Sequence, residues 1–200
     1  MLHALLLHAL CFFHTHTHTR TDTVFMAVLE VLKFPNPKLK KKSLPVEAID
    51  GDLRRVIADM AETMYAAPGV GLAAPQVGHS LRLVVIDVTP ANEQKNLLVL
   101  INPEIISVEG ECTWDEGCLS VPDYNEDVKR KEKVVVRYQD PEGKTCEIEA
   151  EGLLSIALQH ELDHLDGILF IDRISSLKRA LYRRKLQKEK KEKEKEGKKL

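Results

Sequence analysis

Two hundred residues, 44% of them hydrophobic and 30% charged, suit one soluble globular domain with a sizeable core. The formal net charge of −2 selects no partner class, and no apolar run reaches the roughly 18–20 residues of a membrane-spanning helix. The cysteines, Cys11, Cys112, Cys118 and Cys146, make no small disulfide framework and are expected to be reduced thiols.

The chain opens with an apolar stretch, Met1 to Phe13, broken by His3 and His8 and followed by alternating His and Thr from His14 to Thr19. It lacks the basic start of a secretory signal, and its single Arg20 argues against a transit peptide. Residues 1–25 are therefore expected to be a disordered extension, with Met26 the candidate true start; weak metal binding by the His/Thr tract is the competing reading. Pro35, Pro37 and the basic run Lys38 to Lys42 predict an extended loop. Leu53, Val56, Ile57, Met60 and Met64 recur at helical spacing and predict a helix over 52–66, ended by Pro68-Gly69. A glycine-punctuated loop follows over 69–78. Apolar runs predict strands at 81–88, 97–102 and 104–111, and a pair at 134–139 and 144–151 joined by the turn Asp140-Pro141-Glu142-Gly143. A second helix is expected over 152–166, stopped by Gly167, and a third from about Ser176. Strands followed by helices, without regular alternation, indicate an α+β fold.

The second helix carries His160-Glu161-Leu162-Asp163-His164. Histidines at i and i+4 project from one side, so both imidazoles can reach one cation. Glu161 borders the same place without having to ligate, as a general base does. These groups share a face with Leu153, Ile156 and Ala157. Burial of ionisable groups is costly unless they are paired or bound to metal. The competing reading is two core histidines beside a surface glutamate. A hydrolytic site needs a third ligand and an open corner. No histidine follows His164, and Asp166 would point away from it. Upstream, Cys118 in Glu116-Gly117-Cys118-Leu119-Ser120 is the alternative, against a reading as an inert buried thiol.

Three segments together resemble the peptide deformylase family: 69–76 (Gly-Val-Gly-Leu-Ala-Ala-Pro-Gln), 116–120 (Glu-Gly-Cys-Leu-Ser) and 159–167 (Gln-His-Glu-Leu-Asp-His-Leu-Asp-Gly). The resemblance covers about residues 27–175 and implies antiparallel sheets packed around a central metal-binding helix, with a C-terminal helix. It assigns a catalytic domain at 26–175 and a basic helix or tail at 176–200. It implies removal of the formyl group from the N-terminal formylmethionine of new polypeptides, releasing formate. By the same resemblance Cys118, His160 and His164 bind one divalent metal, Fe(II) in the native enzyme, with Zn, Ni or Co able to occupy the site. Glu161 is the acid–base, and the Gln76 side chain and Leu119 backbone N–H stabilise the oxyanion. Val70, Gly71, Trp114, Leu153, Ile156 and Ala157 are placed at the substrate. The chain departs from the family pattern at 123–128, which lacks an arginine often found there to meet the peptide backbone. Arg130 is expected to brace Glu116.

The tail from Ser176 to Leu200 holds nine lysines, three arginines and four glutamates, a charge of +8 that leaves −10 for the rest. A solvated helix is one reading, and electrostatic docking on ribosomal RNA the other. The expected partners are N-formylmethionyl nascent chains and the ribosome, with no DNA or membrane partner. The expected location is the bacterial cytoplasm, with an organelle as the alternative. A zinc endopeptidase and a binding protein with a purely structural metal site remain as competing readings.

Overall fold

The computed structural model describes residues 27–196. The expectations of disorder and of a mis-assigned start at 1–25 fall outside these residues.

Asp50 caps helix α1 (Gly51–Ala66), its carboxylate accepting from Leu53 N at 2.9 Å. Leu53, Ile57, Met60 and Met64 form its buried stripe. The strands are β1 (Gly71–Ala73), β2 (Leu83–Ile86), β3 (Leu98–Glu109), β4 (Cys112–Cys118), β5 (Val121–Arg130), β6 (Lys133–Gln139) and β7 (Thr145–Glu151). Five of them make one antiparallel sheet in the order β1-β2-β3-β6-β7, and β4 and β5 form a separate two-stranded ribbon.

The sheet is covered on both faces. Leu83 and Val85 of β2 point to the α1 side, into a cluster with Met60 and Met64. Val84 and Ile86 point the other way, into a cluster with Ala157, Leu158 and Leu165 of helix α2 (Gly152–Leu165). Burial on both sides explains the unbroken apolar run of β2, which alternation alone would not produce.

Two predicted strands, 97–102 and 104–111, are one 12-residue strand, β3. The sequence break at Asn102-Pro103 is a bulge, where Asn102 adopts φ 52° and the pairing with β6 slips. The Asn102 side chain takes over part of the bonding there. Its Oδ1 accepts from Val46 N at 2.8 Å, and its Nδ2 donates to Val46 O at 2.9 Å.

Helix α2 is closed by Asp166 at its C-cap and by Gly167 just beyond, which sits at φ 72°; a Cβ there would come within 2.7 Å of the Lys40 carbonyl. A short helix α3 (Phe170–Arg173) leads into α4 (Ser176–Glu196). No described helix is long and apolar enough to cross a membrane. The first half of α4 belongs to the core: Tyr182 is buried, stacks on Tyr124 at 4.5 Å and lies 6.3 Å from Phe34.

The loop between β2 and β3 is gathered by Asp87, which accepts from Tyr65 Oη at 2.7 Å and from the backbone N–H of Thr89 and Asn96, each at 2.9 Å. Burial alone would raise this carboxyl, but the bonds from Thr89, Tyr65 and Asn96 outweigh it and hold its pKa at about 2. A depressed carboxylate adds stability that is complete above its unfolded value near 4 and is lost as pH falls toward 2. Urea midpoints should therefore show Asp87→Asn less stable than the parent at pH 6, with the gap closing between pH 4 and pH 2.

Candidate metal centre

Helix α2 sets His160 and His164 one turn apart, with ring centroids 5.0 Å from each other. The third donor arrives from the ribbon. Cys118 ends β4, and its Sγ lies 3.2 Å from His164 Nε2. One ligand atom from each of Cys118, His160 and His164 falls within 4.8 Å of the other two. It is the one such cluster among the described residues.

The donor set fits a divalent ion. Burial and the neighbouring His160 hold His164 well below the ordinary imidazole pKa, which favours the neutral ring that ligation requires. Burial would lower His160 too, but Cys118 and Glu116 outweigh it and push His160 the other way, so an ion bound there would displace a proton. His160 faces Glu116 Oε2 through Nδ1 at 2.8 Å, which turns Nε2 toward Cys118. This carboxylate–histidine pairing is the usual way a ligand imidazole is oriented. A thiolate and two imidazoles leave one tetrahedral corner open.

The carboxylate that orients His160 is itself held. Arg130 donates to Glu116 through Nε at 2.6 Å and Nη2 at 2.9 Å, and to Asp163 through Nη1 at 2.6 Å. Arg173 bonds the same Asp163 with two nitrogens. Burial would raise the Glu116 carboxyl, but Arg130 and His160 outweigh it and bring its pKa to about 2. The expected Arg130–Glu116 brace is present. Asp163 and Arg173 complete it and were not read from the sequence, although an acid three residues after His160 on a buried helix is a signal for such a partner.

The open side faces a cleft of about 610 Å³. Glu161 is in its wall, 4% exposed, and burial pushes its carboxyl up to about 7. Gly71 makes room for it: a Cβ there would meet Glu161 Oε1 at 2.5 Å. Glu161 Oε2 has no partner among the described residues. Gln76 lies in a 3₁₀ turn at Ala74–Val77. Its Oε1 accepts from Ala73 N at 2.8 Å, which aims Nε2 at Ser120 Oγ (3.2 Å) and Cys118 Sγ (3.7 Å).

All six expected substrate positions line this cleft. Ile156 and Ala157 are buried in its wall beside Gly71, while Val70, Trp114 and Leu153 are exposed at the mouth. Leu119 is also in the wall. Lys33 and Asn125 line it too and were not singled out. As expected, Asp166 points away from the centre, and it pairs with Arg82 at 2.9 Å.

Residues 28–180 match the family model described as polypeptide deformylase. The chain belongs to the polypeptide deformylase family. A peptide deformylase of Thermodesulfovibrio yellowstonii is 56% identical over 162 residues, covering 81% of this chain and 98% of the relative. The crystal structure of a peptide deformylase from Legionella pneumophila has a TM-score of 0.77 and 50% identity, over 84% of this chain and 98% of that one. A peptide deformylase from Acinetobacter baumannii, solved with Met-Ala-Ser bound, gives a TM-score of 0.71 and 38% identity over 74% and 99%. As a peptide deformylase family member, the chain is a metal-dependent hydrolase that deformylates new polypeptides.

Removing one member of a buried ion network strands the others, at about 3–5 kcal/mol. Arg130→Met should lose stability of that order in urea unfolding and should lower bound metal in elemental analysis, since the support of His160 goes with it. Full stability and metal content in this variant would contradict the brace.

Proposed function

We propose that Cys118, His160 and His164 hold one divalent ion, that Glu161 is the acid–base, and that Gln76 Nε2 and the Leu119 backbone N–H stabilise the oxyanion as the formyl amide is hydrolysed. The carrying observation is the convergence of three ligand atoms within 4.8 Å at the base of a cleft shared by a buried carboxyl and a fixed amide.

When bound, the ion acts as a Lewis acid and activates water near neutral pH. Glu161 accepts a proton as water adds to the formyl carbon and delivers it to the amine as the C–N bond breaks, yielding formate and a free N-terminus. A carboxyl near 7 suits both transfers. The tetrahedral oxyanion needs fixed donors, each worth about 10²–10³-fold in rate. Gln76 is neutral, does not titrate and is locked by Ala73. Val70, Gly71, Trp114, Leu153, Ile156 and Ala157 receive the methionine, consistent with the Met-Ala-Ser bound by the Acinetobacter relative. Fe(II) is the native ion on family grounds, and the donors also suit Zn, Ni or Co. The catalytic domain is assigned from 26 through the first half of α4, past the boundary at 175 expected from the sequence, because Tyr182 packs in its core. The setting is assigned to the bacterial cytoplasm.

The tail is assigned to the ribosome. The outer face of α4 presents exposed Leu177 and Leu181, followed by Arg184 and Lys188. Basic helices of this kind bind RNA phosphate with salt-sensitive affinity.

Metal-loaded protein should release formate from formyl-Met-Ala-Ser. Glu161→Ala should keep its metal yet lose at least about 10²-fold in turnover; endopeptidase activity without formate release would overturn the reading. Because Tyr182 is core, the tail is best tested in the full chain by reversing two exposed charges together, Arg184→Glu and Lys188→Glu. That double variant should keep peptide turnover and lose ribosome co-sedimentation at low salt, and unchanged co-sedimentation would refute the tail assignment.

A further inference from the structure

The segment before α1 crosses both turns that bear the proposed oxyanion donors. Leu32 N–H donates to Gln76 O at 2.7 Å, and two residues later Phe34 N–H donates to Ser120 O at 2.8 Å. Between them the Lys33 ammonium donates to Leu119 O in a short bond. Phe34 fastens this strap to α4 through Tyr182.

Lys33 lines the wall of the cleft, and it makes no ion pair with any described carboxylate. Its charge therefore falls on a peptide carbonyl. That carbonyl belongs to the Leu119–Ser120 peptide, whose N–H points at Cys118 Sγ with N···S 3.4 Å. A cation on a carbonyl oxygen draws electron density through the amide and makes its N–H a stronger donor. The Cys118 sulfur faces that N–H on one side and Gln76 Nε2, 3.7 Å away, on another. Hydrogen bonds to a metal-binding sulfur lower its electron donation, a standard means of tuning a metal through the surrounding protein.

We infer that Lys33 is a positioning residue that tunes the Cys118 sulfur through the Leu119–Ser120 peptide and holds that turn in register with Gln76. The inference rests on Cys118 being a metal ligand. It is tied to no substrate contact, so it separates from a role for Lys33 in peptide binding.

The test uses the full chain loaded with Co(II), whose thiolate charge-transfer absorption reports directly on the sulfur. Lys33→Met keeps the side-chain stem and removes the charge; Lys33→Arg keeps the charge. In Lys33→Met the band should move to longer wavelength, because a less hydrogen-bonded sulfur is the better donor. In the same variant kcat should fall about three- to tenfold, less than the about 10–100-fold typical of direct partners of a metal ligand. KM and the thermal midpoint should hold, and Lys33→Arg should restore band and kcat. The Ser120 amide resonance of the metal-free protein should move upfield in Lys33→Met alone. An unshifted band and amide in Lys33→Met, or a raised KM with an unshifted band, would overturn the inference. Absence of a thiolate band in the parent protein would instead overturn the assignment of Cys118 as ligand.

Discussion

The buried guanidinium of Arg130 is the joint on which the site depends. Cys118 sits on a ribbon outside the main sheet, while both histidines sit on α2. Without a fixed link the three donors would share no common geometry. Arg130 reaches from β5 to Glu116 on β4 and to Asp163 on α2, and Glu116 reaches on to His160. One planar cation thus sets the distance between ribbon and helix and the rotation of a ligand ring. Lysine could not do this, because it lacks the fork that grips two carboxylates in fixed directions. The fully satisfied bonding also explains how such charges tolerate burial.

The sheet supplies the rigid background. Its two apolar faces grip α1 and α2 independently, so α2 is held along most of its length by hydrocarbon contact. His164 and Glu161 are buried because their helix is, and burial then sets their protonation: it keeps the imidazole neutral and lifts the carboxyl toward neutrality. The same environment that makes these groups costly to fold makes them chemically useful.

What was legible in the sequence follows from the range of the interactions. Helix α1 was legible because its apolar spacing repeats over four turns, and β2 because its residues are buried on both faces. The ribbon was not, because only a few of its residues, such as Val121 and Val128, reach the core and the rest meet solvent. Asn102-Pro103 looked like the gap between two strands because the sequence does not reveal that an asparagine side chain can bridge a bulge. Around the cleft, Cys118, His160, Glu161 and Gln76 stood out by residue type and spacing. Asp163 depended on Arg130, 33 positions earlier in the chain, and Arg173 only on Asp163, whose own role was hidden by that distance. Lys33 meets a backbone carbonyl, a contact that leaves no trace in the identity of either residue.

The ribbon's separation from the sheet carries a consequence for the life of the protein. Cys118 and His160 are 42 positions apart and belong to bodies that share no strand pairing. An ion held by both, as proposed, would act as a clasp, its binding free energy adding to the work needed to pull ribbon from helix. The folded population then rises with free metal by mass action. On the proposed ligand set, withdrawing metal would cost folded stability as well as turnover, with opening at this seam the expected route to proteolysis.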